Sequence, residues 1–197
     1  MFRFAIAAVL FATVFATAAL AAPASITVRG PDGKPLSGAV VSIDIAGVAP
    51  ARLRGVYAVE QRDIQFAPRV LIVPVGATVA FPNRDRVRHH VYSFSQPKRF
   101  DLKLYGREEA RSVTFDKPGV VALGCNIHDA MSGFLIVTAT PFVAQTDAAG
   151  AVVLDGLPAG RATVRVWHPT IRASGNELRQ PVTIAAAGLV TQFAIRR

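Results

Sequence analysis

The sequence predicts an all-β fold, and three observations support that prediction. Short runs rich in Val, Ile, Phe and Thr follow one another from residue 23 onward, Gly and Pro separate them, and no stretch has apolar residues at helical spacing. Such runs, bounded by turn residues, are typical of strands in sandwiches. The predicted strands are too numerous for one small sandwich: residues 24–28, 39–45, 69–73, 77–81, 89–93, 112–115, 120–125, 134–138, 151–154, 162–167 and 181–184.

The start of the chain predicts a secretory signal peptide over residues 1–22. Arg3 precedes an apolar run that ends at Ala22, and Ala19-Leu20-Ala21 is a small-x-small cleavage site that would leave Ala22 or Pro23 near the new N-terminus. An uncleaved anchor is the alternative, although the run is barely long enough to cross a bilayer. No later segment could span one. We therefore expect a periplasmic protein with no stable membrane insertion after cleavage.

The charge balance bears on the choice of partner. Lys and Arg number 22 against 13 Asp and Glu, a formal net charge of +9, and removal of Arg3 with the leader lowers it to +8. Such a charge attracts acidic proteins at rates that depend on ionic strength. Nucleic acid is a poor candidate, because the basic residues are scattered rather than massed on a recognition helix.

Two turn-rich segments near the ends of the chain are alike in style. Residues 30–41 read G-P-D-G-K-P-L-S-G-A-V-V, and residues 146–160 contain T-D-A-A-G and L-P-A-G. Together they resemble the carboxypeptidase regulatory-like (transthyretin-like) sandwich, in which such segments lie much closer in sequence. The resemblance implies a split sandwich over 23–53 and 139–197, with another domain, 54–138, inserted. The alternative is a single domain with ordinary tails.

The inserted segment contains the motif C-x2-H-x2-M at Cys125, His128 and Met131. The only cysteine of an exported chain cannot form an internal disulfide, so it is a buried side chain, an intermolecular link or a metal ligand. A thiolate and an imidazole three residues apart can close on one metal, and a thioether is a weak axial ligand. Zinc has little use for methionine, whereas copper uses all three donors. The motif therefore predicts one copper ion.

A second histidine ligand is predicted upstream, in the sequence V-R-H-H-V. In an extended strand Val87, His89 and Val91 point to one face, and Arg88 and His90 point to the other. Because the charged face must be solvated, His89 is predicted to face the core as the ligand. His90 is the alternative ligand and is expected to face solvent.

These residues together resemble a cupredoxin of the amicyanin, plastocyanin and pseudoazurin type, over a stretch from about Tyr57 to Val137. The shared features are an F-x-P segment, a V-G-x-x-V turn, an asparagine before the first ligand, and the ligands themselves: Phe66-Ala67-Pro68, Val75 to Val79, Asn83, His89, Cys125, His128 and Met131. This sequence departs from the family at His90, where Asn is common, and at Gly124, where a larger residue is common.

The resemblance implies a Greek-key β-sandwich with one type 1 copper, held by His89, Cys125, His128 and Met131, that transfers single electrons without catalysis. It also implies that Asn83 donates a hydrogen bond across to the Cys125 loop. The exposed ring edge of His128 would be the electron port. An apolar rim around that port is expected from Ile127 and Phe134.

Several other functions are weighed against this one. Cys-His nucleophilic catalysis lacks an evident orienting group beyond Asp129, and a multicopper oxidase needs more than the four histidines of this chain. A copper-storing, copper-delivering or sensing module, whose flanking sandwich binds a partner or a glycan, stays open. Chains of this kind carry a methylamine-utilisation label, but no residue here shows that substrate.

Basic residues cluster in sequence around the predicted copper strands. We interpret them as a docking surface for an acidic cytochrome or dehydrogenase, and the alternative is a solvated face. They are Arg84, Arg86, Arg88, Lys98, Arg99, Arg107 and Arg111.

Overall fold

The computed structural model describes residues 21–52, 54–109 and 111–196. Within them the secondary structure consists of strands and one short 3-10 helix, Ser174–Asn176, which confirms the all-β prediction. No helix in these ranges is long and apolar enough to cross a membrane. Most of the predicted signal peptide lies outside the described residues. The strands are β1 (Ala22–Arg29), β2 (Val40–Ile45), β3 (Tyr57–Ala58), β4 (Glu60–Arg62), β5 (Gln65–Ala67), β6 (Val70–Pro74), β7 (Ala77–Ala80), β8 (His89–Ser93), β9 (Phe100–Tyr105), β10 (Ser112–Phe115), β11 (Gly119–Gly124), β12 (Ser132–Thr138), β13 (Val143–Gln145), β14 (Ala151–Leu157), β15 (Gly160–Trp167), β16 (Glu177–Ile184) and β17 (Leu189–Ala194).

Strands from the two ends of the chain share two sheets, which we call the terminal sandwich. One sheet has the order β14-β1-β17 and the other β13-β2-β15-β16. In β1, Ala24, Ile26 and Val28 are buried and alternate with more exposed residues, because successive side chains of a strand point to opposite faces. Their inward side chains join Ile43 and Val164 of the other sheet in one apolar core.

Eight of the strands between β2 and β13 form a second pair of sheets, which we call the site sandwich, and β4 and β5 form a separate two-stranded sheet. The larger sheet has the order β6-β12-β11-β8-β9, and the smaller one β10-β7-β3. Its core contains large apolar side chains such as Phe81, Phe115 and Leu135. Cys125 and Met131 belong to the same core, so two of the predicted copper ligands lie at the end of this sandwich.

A third apolar cluster lies between the two sandwiches. It contains Val40, Ile136 and Trp167, and the rings of Phe134 and Trp167 pack edge to face with their centroids 5.0 Å apart. One face of strand β12 packs into the core of the site sandwich, and the other packs against the terminal sandwich. Both faces are largely buried, which explains the continuous apolar run of this strand. The expectation that Phe134 forms a rim around the copper port is therefore wrong, because its ring is used in this junction.

Tyr105 makes a buried hydrogen-bond network inside the site sandwich. Its hydroxyl donates to the carbonyl of Phe81 at 2.6 Å and accepts from Nε2 of Gln61 at 2.6 Å. Burial raises the pKa of Tyr105 from 10.0 to about 12. Ionisation of this group is therefore easier in the unfolded chain than in the native protein.

Stability should consequently fall as the pH rises from 10.0 toward about 12, because only the unfolded state loses this proton in that window. Urea unfolding at a series of pH values measures the effect. Tyr105→Phe is the control that removes the group, and we expect its free energy of unfolding to fall less steeply over the same range. Parallel curves for the two proteins would show that the buried hydroxyl makes no such contribution.

Candidate metal centre

The predicted ligands lie on two neighbouring parts of the site sandwich. Strand β11 ends at Gly124 and β12 begins at Ser132, and these two residues are paired, so the intervening residues form a tight loop. The N–H of Met131 donates to the carbonyl of His128 at 2.9 Å inside this loop. Strand β8 lies beside β11, with Tyr92 opposite Gly124, and this pairing brings His89 to the loop.

Three of the four predicted ligands come together as one cluster. His89, Cys125 and His128 offer ligand atoms that all lie within 4.8 Å of one another. Sγ of Cys125 lies 4.0 Å from Nδ1 of His89, and the centroids of the two imidazole rings are 5.1 Å apart. His89 and Cys125 are buried, whereas His128 is half-buried. Met131, which is 1% exposed, lies in the same core as Cys125.

One nitrogen of this cluster indicates that the site is built for a ligand. Nδ1 of His128 is buried and has no hydrogen-bond partner among the described residues. Leaving such an atom unsatisfied costs about 1–3 kcal/mol, so a bound ion there would relieve the cost. Imidazole nitrogens combined with a thiolate and a thioether form a donor set that suits copper rather than zinc. The residues fit one copper ion in a type 1 site.

The two adjacent histidines of β8 point in opposite directions. His89 is fully buried, whereas His90 points to the outer face and pairs through Nε2 with the carboxylate of Asp101. The side chain of His90 is only 12% exposed, because Asp101 and the ring of Tyr92 cover it, so it does not face open solvent as expected. Val87 was predicted on the same face as His89, but it is 47% exposed. The reason is that β8 begins only at His89, so the strict alternation of a strand does not extend back to residue 87.

Asn83 is buried close to the site, but its hydrogen bonds differ from the expectation. Its Nδ2 donates to the carbonyls of Val87, at 2.8 Å, and Tyr105, at 3.2 Å, and its Oδ1 accepts from the N–H of Asp85 at 2.8 Å. None of the described hydrogen bonds joins Asn83 to the Cys125 loop. The side chain instead fixes the loop that leads into β8.

A carboxylate beside His89 was not identified from the sequence. Oδ2 of Asp85 lies 2.7 Å from Nε2 of His89. Burial alone would raise the pKa of Asp85, but hydrogen bonds from His89 and from the N–H groups of Ile64 and Asp63 outweigh it, and the pKa is lowered. The available signal was an acidic residue four positions before the ligand, in D-R-V-R-H.

The glycine before the cysteine also has a structural explanation. A Cβ atom at Gly124 would lie 2.7 Å from Cζ of Tyr92, well inside van der Waals contact. The Tyr92 ring occupies the space that a larger residue would need at position 124. Position 124 therefore departs from the cupredoxin pattern because the Tyr92 ring fills the space of the larger side chain beside the metal-binding loop.

The basic residues predicted to form a docking surface do not all lie near the site, and they are partly neutralised. Pro97, next to Lys98, packs at Gly119, at the opposite end of β11 from Cys125. Among the seven, Arg84 pairs with Glu60, Arg88 and Arg111 pair with Glu109, and Lys98 pairs with Asp116. Exposed pairs of this kind add little stability, but each reduces the local positive potential.

Comparison with known proteins gives matches among solved structures alone: no family model and no curated protein matches the chain. The chain is similar to an amicyanin variant in its reduced Cu(I) form, at 25% identity and a TM-score of 0.39, over 49% of this chain and 98% of that one. A purple cupredoxin from Nitrosopumilus maritimus matches at 22% identity and a TM-score of 0.38, over 41% and 98%. A copper-containing nitrite reductase from Thermus scotoductus matches at 28% identity and a TM-score of 0.40, over 56% and 28%.

The geometry of this chain defines the class of site independently of those matches. Two packed β-sheets carry at one end a cluster of the buried His89 and Cys125 with the half-buried His128, and the buried Met131 follows on the same loop. A thiolate, two imidazoles and a thioether gathered in this way form a donor set for one type 1 copper ion.

Proposed function

We propose that this protein is an exported type 1 copper protein that carries single electrons between redox partners and catalyses no reaction. The observation that carries the proposal is the cluster of His89, Cys125 and His128, in which the buried Nδ1 of His128 has no hydrogen-bond partner within the described part of the chain. Copper bound there would supply a Cu(I)/Cu(II) couple. The protein would supply a fixed set of donors.

The burial of the ligands supports a carrier role. Cys125 and Met131 lie in the packed core of the site sandwich, and His89 is fully buried on a central strand. Donors held by surrounding strands move little, so little energy goes into rearranging the site at each electron transfer. His128 is the ligand nearest to solvent, and the exposed Ile127 beside it offers an apolar contact for a partner.

The proposed partner is an acidic redox protein, such as a cytochrome or a dehydrogenase, in the periplasm. The formal charge of +9, or +8 without the leader that contains Arg3, supports an acidic partner. Because four of the seven basic residues of the predicted docking surface already pair with carboxylates, we expect a moderate salt dependence. We further propose that the terminal sandwich is the split carboxypeptidase regulatory-like domain, and that the chain belongs with the cupredoxins labelled as methylamine-utilisation proteins.

Two measurements on the copper-loaded protein test this function. Voltammetry should show a reversible one-electron couple, and stopped-flow mixing with an acidic c-type cytochrome should show electron exchange that slows as salt is raised. A protein that exchanges no electrons but releases its copper readily to a competing chelator would instead be a delivery or storage module. If the rate of electron exchange is independent of salt, the electrostatic docking surface is refuted, and the electron-carrier function still stands.

A further inference from the structure

We propose that the junction between the two sandwiches binds one small neutral molecule, a six-membered ring with an oxygen that accepts a hydrogen bond from the indole N–H of Trp167. The site lies away from the copper centre, because its residues Pro118 to Val120 are at the start of β11 and Cys125 follows the end of that strand. The inference goes beyond the copper function and does not depend on it.

The junction contains a cavity of about 130 Å³, and both sandwiches contribute to its walls. Val40 and Trp167 line it from the terminal sandwich, and Pro118, Val120 and Ile136 line it from the site sandwich. An engineered apolar cavity of about 150 Å³ in another protein holds one benzene molecule. The size and the apolar walls therefore fit a single six-membered ring.

The indole N–H of Trp167 supplies the polar requirement of the ligand. Trp167 is 3% exposed, and its Nε1 is buried without a hydrogen-bond partner within the described part of the chain. This N–H is the one polar group of a tryptophan side chain, and it can only donate. Buried donors in folded proteins normally have a partner. An oxygen on a molecule in the adjoining cavity would provide it.

The charged residues that line the cavity indicate a neutral ligand. Arg165 donates to Oε2 of Glu177 from Nε at 3.0 Å and from Nη2 at 2.7 Å, and it donates to Oδ2 of Asp44 from Nη1 at 3.4 Å. Glu177 also pairs with Arg179. All three charged residues of the lining are thus paired with one another. A charged ligand would have to break these pairs and leave a half-buried charge uncompensated.

The chain provides its own reporter for the test. Trp167 is the only tryptophan, so its indole N–H gives a single resonance in a proton–nitrogen NMR spectrum. The full protein, loaded with diamagnetic Cu(I), is titrated with phenol and with benzene, which differ only in the oxygen. Calorimetry gives the affinity for each.

We expect phenol to saturate the site with a dissociation constant on the order of 0.1–1 mM, as ligands of this size allow, and to shift the indole N–H resonance downfield. Benzene should bind about 3–10-fold more weakly, which corresponds to one hydrogen bond. Trp167→Phe keeps an aromatic ring but removes the N–H, so it should bind phenol and benzene with equal affinity.

A second pair of variants tests the location of the site. Val120→Phe fills the cavity and should abolish the binding of both ligands. Val190→Phe is the matched control, because it adds the same ring to a residue of the terminal sandwich that is 87% exposed. It should leave both affinities unchanged.

A wild type that shows no saturable phenol binding up to about 10 mM would overturn the proposal, because the cavity would then hold water only. A preference for phenol that persists in Trp167→Phe, or binding that is unchanged in Val120→Phe, would overturn it equally. If Trp167→Phe does not fold, the phenol-to-benzene ratio and the indole shift of the wild type decide. A protein that loads no copper refutes the carrier function, and the same titrations of the copper-free protein then test this site.

Discussion

Replacing His89 with alanine is expected to abolish the intense visible absorption of the copper-loaded protein, whereas replacing His90 should leave it intact. His89 is fully buried with Nδ1 toward Cys125, but His90 is on the outer face, paired with Asp101. Loss of a direct ligand should weaken Cu(II) binding by more than the about 10–100-fold that loss of an outer hydrogen-bond partner costs. Copper titrations followed by absorption and EPR measure both variants.

The two substitutions control for each other, because they remove the same side chain from adjacent positions of β8. Thermal unfolding of each apoprotein shows whether the fold is kept. The reverse pattern, in which the absorption survives without His89 and disappears without His90, would transfer the ligand role to His90. Persistence of the band in both variants would place the copper elsewhere.

Replacing Trp167 with alanine should give the largest loss of stability among the substitutions considered for the terminal sandwich. Trp167 is 3% exposed, and its ring packs against Phe134 in the cluster between the two sandwiches. Truncating a buried tryptophan costs about 3–5 kcal/mol. The copper spectrum should not change, because the metal ligands belong to a different core cluster. Urea unfolding gives the free energy, and absorption of the copper-loaded variant gives the spectrum.

Val190→Ala is a suitable control for the Trp167 variant. Val190 is also in the terminal sandwich, but it is 87% exposed, so its truncation should change the free energy of unfolding by no more than about 0.5 kcal/mol. Similar effects for the two substitutions would mean that the junction is not a packed core. Loss of the copper spectrum in Trp167→Ala would mean that the site depends on the junction.

The features that could be predicted from the sequence are those that depend on local pattern. Alternating apolar and polar residues predict strands and the face that each side chain occupies, because the period of a strand is two. The opposite orientations of His89 and His90 follow from that period. The donor set of the 125–131 loop depends on spacing within one short segment. A thiolate, an imidazole and a thioether at that spacing indicate copper.

The features that were missed depend on what covers a surface or on the path of a loop. Phe134 is apolar whether its ring contacts a partner protein or Trp167, so the residue type alone cannot show which of the two it contacts. The bonds of Asn83 and Asp85 depend on how the loop before β8 folds against the β4–β5 turn, and those strands are only three residues long. The short or mixed strands β9, β13 and β17 lack a strong pattern and are recognised only through their sheet partners.

The most direct test of the copper site is a Cu(II) titration of the purified protein followed by visible absorption and EPR, with Cys125→Ser as the matched variant. The thiolate of Cys125 is the donor that gives a type 1 site its colour. We predict an intense orange-red absorption band that saturates at one equivalent of copper and is absent from Cys125→Ser. A colourless wild type, or a band that persists without the thiolate, would contradict the assignment of a type 1 copper site.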